Sequence, residues 1–562
     1  MNELKYYVQK IAHGLNLAHG LNRGLLMLMS FVSVLLLTNC SQQVSPTGGK
    51  KDIILPKLVN SIPINKQTNY KSKTVELTFD EYIVVENLQQ KLVITPDAGE
   101  YTMKLIPKGL RLKFEKDLDS NKTYSLSFGD AIKDFSEKNP AKNLKIVFST
   151  GKFIDSASVA GKILDIQTSR PTFDALVGLY KYSDTLNPEK KKATYFTRTD
   201  SSGNFSIENI QPDSTYKLIA IDDKNRSMTY NPKAERIAYL RDSIAVKGST
   251  QISGLTMSLF YANYLPIKYK NGSSKKPNSY ELTYDRGIEN YKILFQNKAD
   301  SVPYFRSNTN ELKLYNTKNS KDSIAIKVIV TDSLGNVVEK SQKIKFKDAK
   351  PSAKDKEDFY MEKSMQDNEA IEPSEISYVM TFNKPLSIAR VENIKFFSDS
   401  TKAEIIEPKD MVWENNKTKL TINKQFIAKK ELKIVLPKST FISIENDTIK
   451  AQILKFPIKD PENFGTLSGA VITSSTSFII ELLSTENKLI KTLRNQKEFK
   501  FEYLKPGEYR VRVINDMNKN GKWDSGNYIK KVQPEPISFY PNIVKVRKNF
   551  EIEGINVELS TK

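Results

Sequence analysis

Thr74-Val75-Glu76-Leu77-Thr78-Phe79 alternates apolar and polar side chains with a period of two. So do Leu110-Arg111-Leu112-Lys113-Phe114 and Tyr124-Ser125-Leu126-Ser127-Phe128 on its C-terminal side. A strand places successive side chains on opposite faces, so this period marks a sheet with one face in a core. Similar short runs, bounded by Pro, Gly, Asn and Asp, recur from Leu58 to the end, and no long amphipathic helical pattern interrupts them. Antiparallel β-sandwiches are the architecture such spacing predicts. The 27 Phe and 26 Tyr, with abundant Ile, Val and Thr, suit pleated, half-buried surfaces. A length of 562 residues allows several such domains.

Internal comparison adds a duplication. Val159-Ala160-Gly161 answers Leu467-Ser468-Gly469, and Ile210-Gln211-Pro212 leading to Tyr216 answers Leu504-Lys505-Pro506 leading to Tyr509. Asp223-Lys224-Asn225 then matches Asp516-Met517-Asn518, and Glu235-Arg236-Ile237 matches Glu535-Pro536-Ile537. Both copies close on Gly-apolar-polar-apolar-polar-Leu, Gly254 to Leu259 and Gly554 to Leu559. Ordered anchors at this spacing indicate a repeated module. The opening apolar-x-Gly, the stretch Thr199-Asp200-Ser201-Ser202-Gly203-Asn204-Phe205 and the Pro-to-Tyr strand entry resemble the transthyretin-like, or carboxypeptidase-regulatory-like, sandwich.

A second repeated type precedes each copy: Val75 to Asp80 answers Ser377-Tyr378-Val379-Met380-Thr381-Phe382-Asn383. With the leader Ser45 to Asp52 (SPTGGKKD), it resembles the Ig-like domain of the S-layer type that opens a group of Bacteroidota lipoproteins. The expected fold is therefore all-β, tandem Ig-like and transthyretin-like β-sandwich domains after a lipoprotein signal peptide. The boundaries read as 1–39 signal peptide, 40–54 flexible tether, 55–152 Ig-like domain, 156–260 transthyretin-like domain, 265–347 Ig-like sandwich, 348–369 charged linker, 370–460 Ig-like domain and 464–562 transthyretin-like domain. The third sandwich rests on Ser323-Ile324-Ala325-Ile326-Lys327-Val328-Ile329-Val330 and the turn Asp332-Ser333-Leu334-Gly335-Asn336. Five sandwiches of ~40 Å extend on the order of 150–200 Å if their linkers stay straight, at roughly 3.3 Å per strand residue.

The N-terminus sets the expected compartment. Lys5, Lys10 and Arg23 precede the apolar run GLLMLMSFVSVLLL from Gly24, which ends at Leu37-Thr38-Asn39-Cys40. A basic region, a short apolar core and a cysteine resemble a secretory signal with a lipobox, in which cleavage precedes Cys40 and acyl chains are added to it. Asn39 departs from the usual small residue at that place. Acyl chains anchor a protein to a membrane without spanning it. The tether lacks the acidic cluster of a surface-export tag, so the expected site is the outer membrane, facing the periplasm more than the exterior.

Both histidines, His13 and His19, lie in the signal, and Cys40 is the one cysteine. A mature chain without histidine has no Ser-His-Asp or Cys-His catalytic system, no His- or Cys-ligated zinc and no internal disulfide. Of the chain's net charge of +21, the signal removes Lys5, Lys10, Arg23 and Glu3, leaving +19. Its cations are spread along the chain and form no stripe of the kind nucleic-acid binding uses.

One loop has the pattern of a ligand site. Asp516, Asn518, Asn520, Lys522 (through its carbonyl) and Asp524, with Gly521 at position six, follow the first nine positions of an EF-hand-like calcium loop. Position twelve is Asn527 where a bidentate Glu belongs, and the flanks read as strands. The alternative is an Asx-rich turn with no ion. The other copy has Ser227, Met228 and Asn231 at the matching places, a poorer cage. No cofactor is required, and Ca2+ at 516–524 is the single ion the pattern suggests. Asp80-Glu81 could supply acids for a carboxylate-based glycosidase, but acids at strand ends are more often plain turn residues, and no second acid is placed by the sequence. Trp413, Trp523 and the run Phe260-Tyr261-Ala262-Asn263-Tyr264 serve either as stacking surfaces for sugars or as interdomain packing. The expectation is a non-catalytic, membrane-anchored binding or scaffold module, accessory to an outer-membrane protein complex, with no enzyme activity. The alternative is a carbohydrate-binding surface lipoprotein. Expected partners are the membrane through the acyl chains and envelope proteins, then glycans or lipopolysaccharide.

Overall fold

A computed structural model describes residues 51–559, apart from 183–185, 263, 350–351, 353–354, 356 and 400. Cys40, the signal and most of the tether lie outside the described residues. The regular secondary structure of the described residues is almost wholly strand, and among them no helix is long and apolar enough to cross a membrane.

The first sandwich has a four-stranded sheet in the order Leu58–Ile62, Thr74–Phe79, Gly109–Phe114, Tyr101–Ile106. Opposite it lie Val93–Thr95, Thr123–Ser127 and Lys145–Ser149, with the pair Ile83–Val85 and Ile132–Asp134 at one end. The alternation behaves as its period demands: Val75, Leu77 and Phe79 are buried, as are Leu110, Leu112 and Phe114, and they meet Tyr124, Leu126 and Phe148 in one core. Each such side chain contributes about 1.5–3 kcal/mol by leaving water.

The fourth sandwich repeats this plan. Met361–Lys363, Glu375–Phe382, Lys419–Gln425 and Met411–Glu414 form the four-stranded sheet. Lys395–Ser398, Glu431–Leu436 and Gln452–Pro457 form the three-stranded one, and Leu386–Ala389 pairs with Phe441–Ser443. Met361–Lys363 falls inside the segment expected to be a charged linker. The segment 348–369 is thus only partly a connector: Phe359, Met361 and Met365 pack on the fourth core, and the strand pairs with Met380 to Phe382. Three strand residues among many charges give too short a run for a period of two to stand out. The tether differs likewise, because the Asp52 carbonyl accepts from Asn139 Nδ2 at 3.0 Å and ties its last residues to the first sandwich.

The second and fifth sandwiches share a topology of their own. In each, the opening strand (Ala157–Asp165 or Gly465–Ile472) is flanked by an antiparallel strand, Asn204–Ile210 or Glu498–Leu504. On its other side runs a parallel partner from the end of the copy, Gln251–Leu259 or Glu551–Ile552 with Val557–Glu558. Gly161 and Gly469 explain the apolar-x-Gly opening: a Cβ at either place would run into the Leu255 or Ile555 carbonyl of that partner strand. The third sandwich packs Tyr269–Ser273, Ser279–Tyr284, Glu311–Tyr315 and Tyr304–Asn308 against Asn290–Phe295, Ile324–Thr331 and Val337–Ile344.

The sandwiches do not form a straight rod. The fifth returns to the second, so that the second through fifth close on one another. The first projects from the second through a junction where Asp155 N donates to Thr123 Oγ1 at 2.9 Å and Lys145 pairs with Glu208 at 2.5 Å.

Candidate functional site

The loop 516–535 of the fifth sandwich makes the closure. It follows the strand Gly507–Asn515, whose end fixes Asp516 beside the strand Phe478–Ser484. Asp516 is 4% exposed. Its Oδ1 accepts from Asn520 N, and its Oδ2 from Gly521 N and Ser477 Oγ, each at 3.0 Å. Asn518 Oδ1 accepts from Asn520 N at 3.0 Å, and Asn520 Oδ1 from Lys522 N at 2.8 Å. Asn518 and Asn520 both donate through Nδ2 to Asp524 Oδ2 at 2.6 Å. Four of the five residues singled out from sequence are therefore brought together through their side chains, and their oxygens are engaged by the loop's own N–H groups in the manner of Asx turns. Lys522 is there through its backbone, and its Nζ pairs with Glu289 of the third sandwich. Among the described residues, no group of three or more His, Cys, Asp or Glu is placed to share a metal ion.

The two copies treat the buried aspartate differently. Asp223, 3% exposed, is the register equivalent of Asp516: each lies two residues beyond a strand isoleucine, Ile221 or Ile514. Asp223 is neutralised by Arg198 Nη2 at 2.6 Å. Arg494 is the equivalent of Arg198, since Arg198 pairs across the strands with Leu176 and Arg494 with Ile479. Arg494 instead donates to the Gly521 carbonyl at 3.5 Å. The longer loop of the fifth sandwich inserts Gly521 between guanidinium and carboxylate.

Sequence reasoning missed Glu535. Its Oε1 accepts from Met517 N at 2.7 Å and its Oε2 from Asp524 N at 2.9 Å, so it clamps both ends of the loop. Burial pushes its carboxyl above the usual range, against those two N–H bonds. Glu235 in the first copy does the same for Asn231 N at 2.8 Å. The signal was present, because both glutamates stand at matched places in the repeat.

With the loop clamped, its far side lies on the second sandwich. Tyr528 meets Tyr239 edge-on at 5.2 Å and Tyr230 at 6.5 Å. Trp523 joins the same cluster, which holds Tyr180, Ile219, Ile221, Ile237, Phe260 and Ala262, while its Nε1 donates to the Glu535 carbonyl at 3.0 Å. These strand residues alternate with the second core: Leu218 and Ala220 point inward, Ile219 and Ile221 outward to the loop. Burial pushes the Tyr528 and Tyr239 hydroxyls up to about 12. Tyr239 donates to the Val532 carbonyl at 2.8 Å and its own carbonyl accepts from Gln533 Nε2 at 2.9 Å. Arg510 and Arg512 add bonds to the Thr168 and Gln167 carbonyls at 2.8 and 2.7 Å. From the aromatic run, Phe260 and Tyr264 thus pack in the interdomain contact, while Tyr261 is exposed.

The chemistry available here is adhesion: a buried aromatic cluster rimmed by hydrogen bonds. Trp413, the other tryptophan, packs against the fourth core. Asp80 Oδ1 accepts from Lys57 N at 2.9 Å, an ordinary turn contact.

Comparison with known proteins assigns one part of this architecture. Residues 52–150 match the bacterial Ig-like domain family. The match covers the first sandwich. Among curated proteins, none matches the sequence. Solved structures similar to the chain include surface layer protein SbsC, domains 1–6, at 10% identity over 83% of this chain and 66% of that one, TM-score 0.14. They also include BcpA, the major pilin subunit of Bacillus cereus, at 11% identity over 73% of this chain and all of that one, TM-score 0.12. Alpha-2-macroglobulin of E. coli is similar at 7% identity over 86% of this chain and 42% of that one, TM-score 0.14. The chain spans about two thirds of the SbsC chain and less than half of the macroglobulin. At these scores the likenesses carry no weight for function.

Proposed function

We propose that this chain is a non-catalytic lipoprotein of the cell envelope, held to the outer membrane through acyl chains on Cys40, that binds and scaffolds another envelope protein. The observation that carries the reading is an open strand edge on the sandwich nearest the anchor. Tyr101–Ile106 ends its sheet, pairing with Gly109–Phe114 on one side and with no described strand on the other. Met103 and Leu105 are exposed along it, and Lys104 is its one charge. The other edge of the same sheet, Leu58–Ile62, is likewise without charge and exposes Val59 and Ile62, whereas edges of later sandwiches are blunted: Val337–Ile344 carries Glu339, Lys340 and Lys343, and Leu489–Arg494 carries Lys491 and Arg494. An unguarded edge with apolar side chains suits strand addition by a second chain, main-chain bonds giving affinity and side-chain positions specificity. The carbohydrate-binding alternative loses support, because both tryptophans are engaged in packing inside this chain.

The test is an affinity pull-down from detergent-solubilised envelopes with a C-terminal tag, comparing the unaltered chain with M103K/L105K and Cys40→Ser. An outer-membrane protein that co-purifies with the unaltered chain and is lost with M103K/L105K supports the reading. Recovery of the chain alone, or of the same protein with the edge variant, contradicts it.

A further inference from the structure

The first sandwich has two ends of different character. One joins the second sandwich near Asp155. The opposite end is made of residues 52–58, the turn after Phe79, the turn at Lys108 and the turn 134–139. These are held together by bonds from Phe79 N to the Lys108 carbonyl and from Phe135 N to the Tyr82 carbonyl, at 2.7 and 3.0 Å. Asn139 Nδ2 bonds the Asp52 carbonyl across the same end. Four large apolar side chains stand out from this tip: Ile53, Ile54, Tyr82 and Phe135, at 79, 61, 63 and 70% exposure. Isolated exposed apolar residues are ordinary, whereas a cluster at one tip marks a contact surface.

From this geometry we propose that the tip of the first sandwich is a lipid-contact surface, on which Ile53, Ile54, Tyr82 and Phe135 insert shallowly into the membrane interface. The inference rests on the reading of Cys40 as acylated. The described chain begins at Lys51, on this tip, and only residues 41–50 separate it from Cys40. Eleven residue steps span at most about 40 Å at full extension. The tip is thus held near the headgroups at high effective concentration, where weak apolar contacts suffice for docking. Aromatic rings beside lysines suit the interface, and Lys108 Nζ lies 5.9 Å from the Tyr82 ring centroid, with Lys57 alongside. Of the acidic groups at the tip only Asp134 is enclosed; Asp52, Asp80, Glu81 and Glu137 keep solvent contact and stand among Lys51, Lys57, Lys108 and Lys138. Asp134 is buried and accepts from the backbone N–H groups of Glu137, Lys138 and Asn139, at 2.6, 2.9 and 2.9 Å, while Asp80 is held by Lys57 N. In this pose the edge Tyr101–Ile106, which reaches the Lys108 turn, lies beside the membrane surface.

The test uses the full chain purified with its natural N-terminus and reconstituted into vesicles of phosphatidylethanolamine and phosphatidylglycerol. Glu137→Cys at the tip and Phe153→Cys at the opposite end each carry an environment-sensitive dye, read with lipids bearing a quencher in the upper acyl chain. The expected result is co-flotation with vesicles, marked quenching of the dye at 137, as shallow interfacial burial gives, and little quenching at 153. I53S/I54S/F135S is expected to abolish quenching at 137 while co-flotation persists. Co-flotation without quenching at 137, equal quenching at both places, or quenching that survives the triple change overturns the docking and leaves the anchor standing. Failure to co-float removes the anchor and the docking together.

Discussion

Lys384 is fully buried, and its ammonium lies 2.5 Å from Glu445 and 2.7 Å from Asp447, with the Glu357 carbonyl as a third acceptor. Burial penalises this cation, yet the bonds to Asp447 and Glu445 outweigh that and hold it above the ordinary lysine range. Lys384→Met leaves two carboxylates without their cation. The expected loss is about 3 kcal/mol, the low end for a broken buried pair because both acids keep some solvent contact; denaturant titration measures it. Asp134 makes the converse case. Burial would raise its carboxyl, but N–H groups of Glu137 and Asn139 and the side chains of Asn139 and Ser136 hold it down at about 2, against an ordinary 3.8. A depressed carboxylate adds stability above its unfolded pKa, and that stability is lost as pH falls through its folded one. The first sandwich should therefore weaken between about pH 4 and pH 2, and Asp134→Asn should cost about 1.5–3 kcal/mol at neutral pH and remove this part of the acid dependence. At this scale little was legible beforehand. Lys384 and Asp134 are common residues in polar segments, and only the fold shows that they are enclosed.

Strands were far more legible, since burial on one face writes itself into the sequence as alternation. Thr74–Phe79 and Ile324–Thr331 lie where their period puts them, with every second side chain buried. Met361–Lys363 escaped because three residues cannot show a period. The loop 516–535 was legible in chemistry and not in role: its Asp, Asn and Gly residues read equally as a cation cage or as turns. What distinguishes it is the tyrosine cluster it meets, and those partners lie nearly 300 residues away in the chain. W523A/Y528A should release the fifth sandwich from the second without unfolding either, because neither side chain belongs to the second or fifth core cluster. Small-angle scattering should then show a larger maximum dimension with an unchanged strand signal in circular dichroism. An unchanged scattering profile would show that the arginine and backbone contacts suffice for closure.

For the whole molecule, the extended chain of five sandwiches that straight linkers would give is not the one formed: four close on one another and one projects. That difference has a physical origin. The outer face of the second sandwich's sheet carries Ile219, Ile221, Ile237 and Tyr239, too apolar to face water, and the fifth sandwich supplies the cover. Closure gives a compact body from which the first sandwich projects, with its open edge and apolar tip. Scaffolding at the edge and lipid contact at the tip, as proposed, both depend on one covalent step, the proposed acylation of Cys40. Mass spectrometry of the N-terminal peptide of the chain purified from its own envelopes tests this most directly. The account predicts a peptide that begins at Cys40 and carries acyl chains; an unmodified Cys40 still preceded by Leu37-Thr38-Asn39 would contradict it.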